Sequence, residues 1–257
     1  MKTNSYYRST LRRENIFVTY ILSFFDMFAS YGRMPIEVFT RKGFGQRYFR
    51  LSTALTVASI LALFPLSTKL LGYLFPFISK VGAAIFPSFT LWYIFLAVFI
   101  YFSVRHYFDI KKDASITNFK RFSLSSGVPD KIFDTIKIPG ISTNIRTIEC
   151  LFEPLPFFLG GLLLWIIGQQ LGLLLVLSSI IYSLSYLNAY RRGDNFILDK
   201  IDEIICNEQL ETIFSEAGKT QQDKSGFEFR GLVPTDGAFR KTILPNLYDD
   251  TNSSSVL

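Results

Sequence analysis

Glu149 and Glu153 are the residues of this chain that most invite a chemical reading. They stand four apart, so a helix puts both carboxylates on one face, where with further ligands they would hold a cation or a proton. The plainer account is an ion pair in which Arg146, Arg191 or Arg192 neutralises them and anchors the segment that follows. The plainer account is favoured. No other acid or histidine stands inside the apolar stretches to continue a path, which also counts against an ion-coupled transporter.

The remaining motifs fail on spacing. Gly218-Lys219-Thr220 ends like a phosphate-binding loop, but the pattern needs a glycine where Ile213 stands, and a helix-terminating glycine fits better. Gly43-Phe44-Gly45 has Tyr48 in place of the third glycine of a dinucleotide fingerprint. His106, the only histidine, closes an apolar run beside Arg105, a setting for a headgroup contact. Cys150 and Cys206 are too few for a zinc site. With no nucleophile–base pair and no metal set, the chain reads as a non-enzyme without a cofactor.

The elements that position these residues are set by apolar blocks. Residues 151–190 carry one charge, Glu153. As one helix they would extend ~60 Å, about twice the hydrocarbon core. Gly168, Gln169, Gln170 and Gly172 mark a turn, giving two short spans, Pro154 to Gly168 and Leu171 to Asn188. Gly160 and Gly161, with Ser178, Ser179, Ser183 and Ser185, allow close backbone approach. An earlier pair of spans runs from Leu51 to about Leu71, kinked at Pro65, and from Ile85 to Val104.

Upstream, Asn15, Thr19, Ser23, Asp26 and Ser30 fall within an arc of about 80° on an otherwise apolar helix. Such a helix suits the membrane interface or the flank of the bundle, and Gly32 and Pro35 are expected to end it. Spanning is the alternative, although Asp26 would then lie in lipid at ~3 kcal/mol.

Charge sets the topology. Residues 1–50 hold nine Lys or Arg, residues 105–150 eight and residues from 189 onward eight, against two and none in the connections within the paired spans. Both termini and the middle loop are therefore cytosolic. The expected fold is an all-α membrane protein with four transmembrane helices in two hairpins, an N-terminal amphipathic helix and small cytosolic helical elements. Its parts are a basic segment 1–50 carrying the helix 14–31, hairpins 51–104 and 151–190, a cytosolic loop 105–150, an amphipathic helix region 191–217 and a mostly flexible tail 218–257.

Two surfaces follow. Arg41, Lys42, Arg47 and Arg50 lie among Phe39, Phe44, Tyr48 and Phe49 before the first span, and Arg191 and Arg192 follow the last; both sets read as contacts to anionic headgroups. The net charge of +6 is thereby explained by lipid rather than by nucleic acid. Beyond Gly193 and Asp194, taken as a break, Ile197, Ile201, Ile204 and Ile205 line one face of a cytosolic helix. Leu210, Ile213 and Phe214 fall on another face, so a bend is expected near Asn207. The isoleucine face needs a cover, either this chain's own loop, a second copy or another protein.

Glu153-Pro154, the glycine-containing hairpin, Arg191-Arg192 and Leu198-Asp199-Lys200-Ile201-Asp202 together resemble small inner-membrane proteins of bacterial conjugative and other mobile elements, over residues 145–210. The resemblance implies an accessory inner-membrane subunit of a DNA-transfer or secretion apparatus and supplies no catalytic residue. The alternative is a small transporter or channel with a polar path near Glu153 and Gln169. The topology has a direct check: single cysteines at Gln169 and Lys224 should respond oppositely to an impermeant thiol reagent applied outside intact cells.

Overall fold

Glycine and proline would divide this chain more finely than it is divided. The computed structural model describes residues 3–11, 15–74, 89–112, 122–135, 144–215, 226–246 and 248–249, and they are mostly helical. Helix α1, Ile16–Thr40, runs through both Gly32 and Pro35, where the sequence led us to end it. Met34, Pro35, Ile36, Glu37 and Val38 are all buried, and that packing outweighs the roughly 3 kcal/mol against a proline inside a helix. Gly32 lies against the helix that carries Ile181: a Cβ there would come within 3.0 Å of the end of the Ile181 side chain.

After α1 come β2, Arg41–Lys42, and helix α2, Leu51–Leu74. Helix α3 is Thr90–Lys112. It packs antiparallel on α2, since Phe99 meets Ala54, Val57 and Ala58 while Trp92 donates its indole N–H to Leu61 O at 2.9 Å. Residues 122–130 fold back on the end of α1 through the two-residue strand β3, Val128–Pro129, paired antiparallel with β2. Gly45 is indispensable here, because a Cβ would meet Ser123 O at 2.3 Å.

A short helix, Ile145–Thr147, passes into a π-helical turn, Ile148–Phe152, and then into α4, Leu155–Ile166. The turn expected at Gly168 is present. Gly168 adopts φ 86°, its N–H bonds Trp165 O at 2.9 Å, and the Gln169 N–H bonds Leu164 O at 2.8 Å. That pair of bonds satisfies two carbonyls at the end of α4. Helix α5, Gln170–Ser215, then returns. Gly161 and Gly172 bring the two helices into backbone contact: a Cβ on Gly172 would sit 2.3 Å from Trp165 N and 2.5 Å from Gly161 O. Gly160 faces open space and plays no such part.

Among the described residues, three helical stretches are long and apolar enough to cross a membrane: Thr90–Lys112, Ile145–Ile166 and Gln170–Ser215. Leu51–Pro65 is a shorter apolar helix.

Helix α5 is one piece, so the chain breaks neither at Gly193 nor near Asn207, the two places where the sequence suggested an interruption. Gly193 has open space around it, and one glycine in a helix interior costs only ~1 kcal/mol. The apolar face beyond Asn207 is covered, with Leu210, Ile213 and Phe214 buried in one cluster.

The chain divides into two compact units, residues 21–189 and residues 1–20 with 190–257. In the second, β1, Thr3–Asn4, pairs antiparallel with β4, Tyr248–Asp249. A π-helical turn, Tyr7–Leu11, follows β1. Tyr7 lies buried with Cys206, Leu210, Ile213 and Phe214. Helix α6, Gly237–Asn246, starts where Asp236 accepts the Ala238 N–H at 2.9 Å. Residues 227–233 form no ladder; Phe227, Phe229 and Val233 pack on the same cluster. The expected start of a span at Ile85 and the Gly218-Lys219-Thr220 segment lie outside the described residues.

Gly172→Leu should cost about 1–3 kcal/mol through overpacking. Thermal unfolding in detergent should show the loss, whereas Gly160→Ala should leave the midpoint near that of the parent.

Candidate functional site

Arg33, Glu37 and Arg41 follow one another at steps of four, so α1 gathers them on one face as it ends. Tyr182, Ser185 and Tyr186 share a face of α5 by the same rule. Glu149 and Glu153 come from the π-helical turn and its end, where the Glu153 N–H reaches Ile148 O at 3.0 Å.

These residues form one buried network. Arg41 Nη2 lies 2.5 Å from Glu153 Oε2 and 3.1 Å from Glu149 Oε1. Arg41 Nε donates to Tyr182 Oη at 2.8 Å and Nη1 to Ser126 Oγ at 3.1 Å. The Tyr182 hydroxyl donates in turn to Glu153 Oε2 at 2.5 Å. The side chains of Arg41 and Glu153 are 0% exposed.

A second pair lies one helical turn away. Arg33 Nε stands 3.0 Å from Glu37 Oε1, close enough for an ion pair though not aligned as a hydrogen bond. Arg33 also donates to Ser185 Oγ at 2.5 Å and to Tyr48 Oη at 2.8 Å. The hydroxyls of Tyr48 and Tyr186 both donate to Glu37 Oε1, at 2.7 and 2.8 Å. The Tyr186 ring joins the two pairs, with Arg41 Cζ 4.1 Å and Arg33 Cζ 5.2 Å from its centroid, distances at which a cation is attracted to an aromatic face. Beyond them Asn188 Nδ2 donates to Asp26 Oδ1 at 2.9 Å.

The network corrects three expectations. Arg41 is not a headgroup contact; it is fully buried. Its sequence context, cations among aromatics before a span, describes a membrane boundary and a packed cluster equally well. Glu149 and Glu153 do meet an arginine on one side, as expected, but it is Arg41, 112 residues upstream of Glu153. Glu153 is therefore no interfacial carboxylate in contact with water. His106 is buried too: Nε2 lies 2.8 Å from Val38 O, and the ring stands edge-on to Phe44.

The other basic candidates are placed differently. Lys42 is exposed and reaches Asp130 Oδ2 at 2.7 Å; its hydrogen bond, with that of the Ile132 N–H, holds the Asp130 carboxyl below its ordinary range. Arg47, Arg50, Arg191 and Arg192 are exposed.

On α5, Ile197, Ile201 and Ile204 are 56%, 46% and 46% exposed, and Phe196 and Leu198 beside them are exposed as well. Ile205 is half-buried. The opposite face is taken by the N-terminal segment. The Asn4 N–H bonds Glu203 Oε1 at 2.9 Å, its side-chain amide bonds Asn207 Oδ1 at 2.5 Å, and Tyr7 Oη bonds Asp199 Oδ1 at 3.3 Å.

Arg33, Glu37, Tyr182 and Tyr186 were not singled out from sequence, and Tyr48 was read only as one of the aromatics before the first span. The signal was present: alternating charges at Arg33, Glu37 and Arg41 in a helix, and two tyrosines four apart inside an apolar span. Among the described residues, no group of three or more His, Cys, Asp and Glu is placed to share a metal ion. Chemically, the arrangement is a lock: every charge in it is met by an opposite charge or a hydroxyl. The chain matches no protein-family model, no curated protein and no solved structure.

Removing one partner of a buried ion pair leaves the other charge stranded, so Glu153→Ala should destabilise by about 3–5 kcal/mol. Lys42→Ala, which breaks an exposed pair, should cost at most about 1 kcal/mol. Unfolding midpoints of the two variants in the same detergent would check the contrast.

Proposed function

We propose that this protein is a non-enzymatic, multi-pass membrane scaffold, an accessory subunit of a bacterial inner-membrane complex. The observation that carries the reading is α5. Its first half is apolar enough to cross a membrane, and its second half continues without a break and leaves Ile197, Leu198, Ile201 and Ile204 uncovered. A span followed in the chain by a bare apolar surface is suited to contact with a partner protein.

The lipid-facing side of the reading has four spans, α2 with α3 and α4 with α5, and both termini in the cytosol. Basic excess at residues 1–50, 105–150 and beyond 189 supports that sidedness. Arg47, Arg50, Arg191 and Arg192 then meet anionic headgroups, and α1, whose Ile16, Phe17, Tyr20 and Phe24 are exposed, lies in the interface. The resemblance over residues 145–210 supports a DNA-transfer or secretion apparatus as the setting. A transporter reading draws less support: Glu153, its central carboxylate, is held by Arg41 and Tyr182, and Ser185 by Arg33.

The double variant Ile201→Glu with Ile204→Glu should still insert into membranes but lose its associated protein. Co-purification from native membranes at the parent level would overturn the reading.

A further inference from the structure

Exposed cations from two stretches of chain meet at one end of the α2–α3 pair. Arg47 and Arg50 stand just before α2, and Arg105, Lys111 and Lys112 stand in the last turns of α3. The packing beneath them brings the two groups together. The His106 ring lies 5.0 Å from that of Phe44 and 6.0 Å from that of Phe49, and Ile110 joins the same cluster. Among the described residues none of these cations is in an ion pair, and the exposed acid beside them is Asp109.

Stability of the helices explains only part of this grouping. Lys111 and Lys112 complement the negative end of the α3 dipole. Arg50, whose carbonyl accepts the Thr53 and Ala54 N–H groups, stands at the positive end of α2, where a cation is opposed. Bare aromatic rings lie among the charges. Phe108, 61% exposed, shares a face of α3 with Arg105 and Lys112 at steps of three and four. Phe122, 70% exposed, is set beside Arg47, whose N–H bonds Ser123 O at 2.9 Å. Cations mixed with bare rings suit single-stranded nucleic acid as well as lipid. Position decides for lipid, because α3 is long and apolar enough to cross a membrane and the cluster stands at its end.

We propose that this end of the α2–α3 pair binds a phospholipid whose headgroup carries two phosphates, one held by Arg47 and Arg50 and the other by the cations of α3. The two groups sit on elements packed side by side, whose axes lie roughly 8–10 Å apart. A headgroup with two phosphates engages both while one molecule is ordered; two singly charged lipids must each be ordered separately. The inference deepens the headgroup reading given above and rests on it.

The test is lipid retention by the purified full-length chain in an uncharged detergent, read by native mass spectrometry. The probes are diphosphatidylglycerol, phosphatidylglycerol at twice the molar amount so that charge is matched, and phosphatidylcholine. The parent should retain diphosphatidylglycerol several-fold over phosphatidylglycerol. Arg47→Gln with Arg50→Gln, and separately Lys111→Gln with Lys112→Gln, should abolish that preference. Arg230→Gln with Lys241→Gln removes the same charge elsewhere and should keep it. Diphosphatidylglycerol should also raise the unfolding midpoint of the parent and leave that of the first two variants unmoved. Equal retention of the two anionic lipids, or a preference that survives in both variants, would overturn the two-phosphate site and spare the general headgroup reading. Phosphatidylcholine retained as well as either would remove both. A single-stranded oligonucleotide that binds the parent, fails to bind the arginine variant and is not displaced by diphosphatidylglycerol would give the cluster to nucleic acid and overturn the proposal.

Discussion

A guanidinium taken out of water must meet a carboxylate, and enough acceptors to occupy its N–H groups, or the element that carries it cannot stay folded. Arg41 meets that demand from three separate stretches of chain: Glu149 and Glu153 ahead of α4, Tyr182 on α5, and Ser126 in the loop after α3. None of these stretches is adjacent to another in sequence. The end of α1 thus fixes the approach to α4, the face that α5 turns inward, and the fold-back of residues 122–130. Tyr186 and Glu37 extend the same constraint to Arg33 and Tyr48. A purely apolar contact among these segments would allow sliding and rotation; directed bonds to a planar, forked cation do not.

What could be read from sequence was local. The turn at Gly168 was legible because amides and glycines inside an apolar run have few other uses, and the bonds that close it involve residues within five positions. The isoleucine face was legible because it needs nothing but the helical period. Burial of Arg41 was not legible, since its partners lie up to 141 residues away and no local pattern separates an arginine bound for the core from one bound for lipid headgroups. The run of α1 through Pro35 failed for a related reason. Proline reports on the backbone, whereas five consecutive buried residues report on neighbours not visible in a window of sequence.

Two of the helix pairs of the larger unit are built by different means. Where α4 meets α5, side chains are dispensed with and backbone lies against backbone at Gly161 and Gly172; such contact rests on shape and dispersion, the forces available where lipid is as apolar as leucine. Where α1 meets α5, contact is made by charge and hydroxyl. The dry contact sets distance, and the polar one sets rotation about the helix axis.

The bond between Asn4 and Asn207 spans 203 positions, and this bears on synthesis. A chain emerging from the ribosome displays its first residues long before their binding place on α5 exists. For most of translation Tyr6, Tyr7 and Leu11 have nothing of their own to rest against, and Leu210, Ile213 and Phe214, made near the end, appear uncovered until the beginning of the chain finds them. Closure of this unit is therefore a late, long-range event. During that interval the nascent protein presents an apolar surface that its finished form conceals, and chaperones have their opening there.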